Sequence, residues 1–151
     1  MAILKEGDSV CYGCGGVNEH SPSCAAQDVA EVISVYTRAQ ALEDGVLVDV
    51  SEMAKEAAIK FPVALTRTVY GQYVEVPEGV TCQDESGRLW DILWMFRCAA
   101  AQFRGDTLLF KLYVRNHNRE LDRRDLVTLK AICGPGDDAE PVITIMLPEE
   151  D

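Results

Sequence analysis

Apolar residues recur at helical spacing between Ser86 and Phe103. Leu89, Ile92, Leu93, Phe96, Ala99, Ala100 and Phe103 predict one broad hydrophobic face. Trp90, Trp94 and Ala101 form a narrower stripe about a third of a turn away, with Arg97 between the two. A helix with two apolar sides belongs at a core, covered by a sheet on one side and by further protein on the other. After Gly105 the pattern changes to strict alternation, the signature of half-buried strands. In Thr107–Arg115, Leu108, Phe110, Leu112 and Val114 share a face opposite Lys111 and Arg115. Leu126–Cys133 repeats this with Val127, Leu129 and Ala131 against Thr128 and Lys130, and Val142–Leu147 with Ile143, Ile145 and Leu147. The polar connections RNHNRELDRR and GPGDDAEP suit an antiparallel meander.

Upstream, Val29–Tyr36 predicts a short strand. Thr37-Arg-Ala-Gln40 is a capping box that opens a helix ending at Gly45. Val46–Val50 is a brief apolar segment, after which Ser51 is placed to cap a second helix, Glu52–Lys60, that stops before Pro62. Leu65, Val69 and Tyr73 predict a third helical stretch over Ala64–Tyr73, and Pro77-Glu-Gly79 a turn. Helices first and strands later give an α+β fold. Three short-to-long helices and then the core helix precede a C-terminal three-stranded antiparallel sheet, across which the core helix is laid. The division expected is an N-terminal segment, residues 1–28, and a single domain, residues 29–151.

The first segment holds the sharpest chemistry. Cys11 and Cys14 stand two residues apart, with Gly13, Gly15 and Gly16 to let the backbone turn, and His20 and Cys24 follow with three residues between them. Three thiolates and an imidazole make a tetrahedral Zn²⁺ site with no open position, hence structural rather than catalytic. A disulfide or redox pair at Cys11 and Cys14, or unrelated loop cysteines, are the competing readings. The spacing resembles a CCHC zinc knuckle, with the His displaced one residue toward the last Cys. Knuckles that grip single-stranded nucleic acid do so with aromatics and flanking basic residues. Here Tyr12 is present, but Val10–Val29 contains no Lys or Arg. A clip for the N-terminus, or a small protein-contact surface, is the better expectation.

Charge narrows the partners. The chain has 151 residues, 14 Lys and Arg against 25 Asp and Glu, and a net charge of −11. That disfavours direct nucleic-acid binding, which needs clustered cations. It suits either plain solubility or an acidic surface that imitates nucleic acid and occupies a basic groove. No apolar run is long enough to span a bilayer, and the opening MAILKEGDSV lacks the pattern of a secretory signal. A cytoplasmic protein with reduced thiols and no membrane association is therefore expected.

From about Ile33 onward the chain resembles a family of short proteins of unknown function carried on bacterial plasmids and phages. The stretches that carry the resemblance are Tyr36–Ser51, Gln83–Asp91, Leu109–Asn116 and Gly134–Thr144. It implies a mobile-element setting and supplies no catalytic residues. Catalytic candidates in the sequence itself are thin. Cys82, Cys98 and Cys133 are possible nucleophiles and His117 a possible base, but a core helix, a strand end and a mixed-charge loop are ordinary places for packing or solvation. Gly134–Asp138 suits a turn better than a phosphate loop, since its acids repel phosphate. If an active site exists, Thr37, Arg38, Asp44 and Asp49 are where it is expected, with Asp84 and Glu85 as further carboxylates. The favoured expectation is an acidic accessory protein that binds another protein through Trp90 and Trp94. The alternatives are an anti-defence inhibitor mimicking nucleic acid, a small enzyme, and two tryptophans that simply complete the core.

Overall fold

The computed structural model describes residues 35–118 and 125–151. Cys11, Cys14, His20 and Cys24, and most of the strand expected over Val29–Tyr36, lie outside the described residues; Val35 and Tyr36 carry no strand. The fold is α+β. Helix α1 spans Arg38–Glu43, strand β1 Leu47–Asp49, helix α2 Ser51–Glu56 and strand β2 Val63–Thr66. A helical turn α3, Arg67–Val69, runs on into a π-helical turn, Tyr70–Val74. Helix α4 follows over Glu85–Ala100, then β3 Thr107–Val114, β4 Asp125–Pro135 and β5 Pro141–Met146.

Thr37 and Gln40 form the capping box that their spacing predicts. The Thr37 hydroxyl accepts from the Gln40 amide at 3.1 Å, and the Gln40 side chain accepts from the Thr37 amide at 2.9 Å. Gly45 closes the helix at φ +75°, a conformation that costs glycine little. The second helix departs from expectation at both ends. Ser51 does not cap it; its hydroxyl accepts from the Val63 amide, and the Asp49 carboxylate accepts from the Ser51 amide at 3.0 Å. The helix also stops at Glu56, well before Pro62. Ala58 adopts φ 60°, and the amides of Ala58 and Ile59 return to the carbonyls of Lys55 and Ala54, which turns Ile59 into the core.

The expected third helix is divided. Val63, Ala64 and Leu65 are wholly buried in β2, and the helix begins only after Thr66, whose hydroxyl accepts from the Val69 amide. The Glu75 amide then bonds the Tyr70 carbonyl, the i to i−5 step of a π turn. Pro77–Gly79 is the expected turn, with the Val80 amide bonded to the Pro77 carbonyl.

The sheet corrects the three-stranded expectation. The meander β3–β4–β5 is antiparallel as foreseen, but β2 adds to β5 in parallel and β1 pairs antiparallel with β2. Among the described residues the result is a mixed sheet of five strands in the order β1-β2-β5-β4-β3. Its inner face meets α4: Leu89, Ile92, Leu93 and Phe96 pack with Phe110, Leu112, Leu129 and Ile145 in one hydrophobic cluster. Phe96 and Phe110 meet edge to face, with centroids 5.8 Å apart. Phe103, counted on the apolar face by spacing, lies beyond the helix end and is exposed. On the outer face of β3, Leu109 and Tyr113 are exposed.

Candidate functional site

Three polar or aromatic clusters stand out, and the first involves four residues of the stretch Tyr36–Ser51. Thr37, Arg38, Asp44 and Asp49 fall in one region, and each is engaged in holding the fold. Thr37 caps α1 as described. The Arg38 guanidinium donates to the Thr144 hydroxyl at 3.0 Å and to the Ile143 carbonyl at 3.4 Å, tying α1 to β5. Burial pushes its pKa below the ordinary arginine value, and the charges of Asp49, Asp137 and Glu140 pull it back up in part. Asp44 accepts from the Tyr36 hydroxyl at 2.8 Å, which raises the tyrosine pKa. Asp49 holds the start of α2. Neither of the two cavities described is lined by any of the four.

Asp137 completes this cluster from the far end of the chain. Its carboxylate accepts from the Arg38 amide at 2.9 Å and the Ala39 amide at 2.8 Å, two first-turn donors that no helical carbonyl can serve. The stretches Tyr36–Ser51 and Gly134–Thr144 thus meet in space. Asp137→Ala is expected to cost about 1 kcal/mol, as helix-cap deletions do. Urea unfolding measures it, and an unchanged midpoint would show that water serves these amides equally well.

The second cluster is the tryptophan stripe of α4. Trp90 and Trp94 stack with centroids 6.0 Å apart and planes within 15°, and Arg97 lies over the Trp94 ring at 5.1 Å. Trp90 is partly buried against the core. Trp94 is 42% exposed, its neighbour Met95 40%, and Ala101 is exposed too. The second side of the helix, where the sequence predicts a cover of further protein, is thus left exposed by the described residues at Trp94, Met95 and Ala101.

The third cluster is built around Arg88, which the sequence reading did not single out. It is 7% exposed. Its Nε donates to the Tyr73 carbonyl at 2.9 Å, Nη1 to Gln83 Oε1 at 2.6 Å and the Arg115 carbonyl at 2.8 Å, and Nη2 to Asn116 Oδ1 at 2.5 Å. Four neutral oxygens from three segments thus converge on one guanidinium, and desolvation lowers its pKa. A signal did exist: Arg88, Ile92 and Phe96 are spaced by four, so the arginine stands in line with the buried face. Beside it a cleft of about 540 Å³ opens between the first half of α4 and the end of β3.

The remaining chemical candidates do not assemble. Cys82, Cys98 and Cys133 are free thiols, and all three are exposed rather than packed inside. His117 Nε2 lies 3.5 Å from Asp125 Oδ2. Among the described residues no group of three or more His, Cys, Asp or Glu is arranged to hold a metal ion. None of the described helices is long and apolar enough to cross a membrane.

A family described as "Family of unknown function (DUF6573)" matches residues 25–151. The match begins directly after Cys24, so the four candidate zinc ligands precede it. No curated protein and no solved structure matches the chain.

Proposed function

The chain belongs to this family of unknown function, and from its own surface we propose an acidic accessory protein of a mobile genetic element that acts by binding a basic protein partner. The observation that carries this is Trp94, a large aromatic left 42% exposed on a rigid helix, backed by Trp90 and flanked by Met95 and Arg97. Trp, Met and Arg are the residue types that interface centres favour, and anchors of this kind supply most of the energy in a contact. The net charge of −11 steers such a surface toward a positively charged partner.

The test is capture from a host lysate followed by direct titration of the captured basic protein with wild type and Trp94→Ala. The variant is expected to bind about thirtyfold more weakly, a loss of about 2 kcal/mol, with its thermal midpoint nearly unchanged. Equal affinity for both proteins would remove the proposal. The anti-defence form, in which the acidic surface stands in for nucleic acid, is favoured by the excess of 25 acids over 14 bases. It requires that binding weaken steeply as salt rises and that the captured protein process nucleic acids.

The proposal includes a structural Zn²⁺ held by Cys11, Cys14, His20 and Cys24, supported by ligand type and spacing. Elemental analysis of the reduced protein is expected to find about one equivalent of zinc, which Cys14→Ser or His20→Ala abolishes. Chelation should disturb the chain before residue 28 and leave the amide protection of β3, β4 and β5 intact. Metal-free protein with ordinary stability would end the zinc assignment.

A further inference from the structure

We propose that the free edge of β3 is a docking groove for an extended segment of another protein, one with an acidic residue between apolar ones, which adds to the sheet as a further strand. Strand β3 stands at the end of the strand order and pairs only with β4 among the described residues. The Cys133 amide donates to the Asp106 carbonyl, and the ladder continues from there with Thr107 opposite Ile132. Alternation then turns the amides and carbonyls of Thr107, Leu109, Lys111 and Tyr113 away from β4. No other described strand takes them up, and such a row of backbone groups is a template for a further strand.

The surroundings make this edge a groove. Helix α4 runs beside the second half of β3, and the cleft of about 540 Å³ lies between them, walled by Leu112–Arg115 on one side and by Gly87 and Trp90 on the other. A strand laid against β3 sends alternate side chains into that cleft, toward Trp90 and Tyr73, and the rest over the outer face of the sheet. On the outer face Leu109 is 59% exposed, Tyr113 62%, and Leu126, directly across from Tyr113, 54%. Single exposed apolar residues are ordinary, but three beside unused backbone groups form the surface that strand addition covers.

Charge selects the occupant. Lys111 sits at the middle of the edge, exposed and without an ion pair to any described residue. Residues 104–118 carry Arg104, Lys111 and Arg115 against Asp106 alone, in a chain whose net charge is −11. A lysine on an edge strand guards it against indiscriminate pairing, yet it admits a strand that sets a carboxylate opposite. A second copy of this chain is disfavoured, because a two-fold axis through the middle of β3 brings Lys111 against its own counterpart. The inference does not depend on the basic partner proposed for Trp94.

Amide exchange of the full chain, followed by NMR, tests this with the acetylated and amidated peptide Thr-Thr-Val-Phe-Glu-Phe-Val-Thr-Thr, whose symmetry serves either strand direction. Its counterpart with Lys at the centre is the control. The Glu peptide is expected to bind saturably and to slow exchange at Leu109, Lys111 and Tyr113 by about tenfold or more, with β1 unaffected. The Lys peptide should bind about fivefold more weakly. Lys111→Glu, an exposed change that touches no bond to β4, should reverse that preference. Unchanged exchange at millimolar peptide, equal binding of the two peptides, or a preference that Lys111→Glu leaves as it was would each overturn the assignment. So would slow exchange of these amides in the protein alone: with a concentration-dependent dimer in sedimentation it gives the edge to a second copy, and without one to the chain itself.

Discussion

Arg88→Met is expected to lower the stability of the domain by about 3 kcal/mol or more, because the methionine fills much of the space but none of the hydrogen bonds. The wild-type guanidinium answers the carbonyls of Tyr73 and Arg115 and the side-chain oxygens of Gln83 and Asn116. Three chain segments would lose their common partner together: the π turn before α4, the approach to α4, and the residues after β3. Urea unfolding should show a lower midpoint with an unchanged slope, and the thermal midpoint should fall by roughly 10 °C. Arg88→Lys keeps the charge but not the fork, and should recover less than half of the loss. A cost below about 1 kcal/mol for Arg88→Met would mean that water replaces the guanidinium, and that the residue is not the staple inferred.

The second large effect is expected one residue away from a small one. Leu93 has no exposed surface and lies in the cluster that joins α4 to the sheet. Leu93→Ala should cost about 3–5 kcal/mol, the range for a leucine deleted from a core that collapses only partly around the void. Trp94→Ala removes a larger side chain from the outer side of the same turn and should leave unfolding nearly untouched. Calorimetric melting of the two variants together decides whether α4 is organised as described. Comparable losses at both positions would show that Trp94 is buried in solution, which would also withdraw the binding proposal.

The parts of the fold legible in the sequence were those set by neighbours along the chain. The Thr37–Gln40 capping box, the Gly45 stop, the alternation of β3 and the inner face of α4 each follow from local stereochemistry and a repeating apolar period. Errors arose where distant partners decide. Val63, Ala64 and Leu65 are flanked by β1 and β5 and covered on both faces, so their apolar run fits a buried strand as well as a helix. Ser51 looks like a cap by position, yet the Val63 amide is the donor its hydroxyl serves.

The same limit applies to the sites. Thr37, Arg38, Asp44 and Asp49 are close enough in sequence to read as a polar group, whereas Asp137 joins α1 from almost the far end of the domain. Lys130 falls on the polar face by alternation, yet it is buried, with its ammonium on the Glu150 carbonyl and 3.4 Å from Asp151. Long-range hydrogen bonds of this kind leave no periodic trace.

The strand order has a consequence for how the chain is made. Strand β5 occupies the middle of the sheet, between β2 and β4, yet it follows every other strand in sequence. On the ribosome the β1–β2 pair and the β3–β4 hairpin emerge as separate pieces, each with an apolar edge awaiting a neighbour. Among the described residues no strand pairing joins them until Pro141–Met146 has been synthesised. A chain cut short before that point keeps β2 and β4 as open edges, each without the β5 pairing that joins them in the complete sheet.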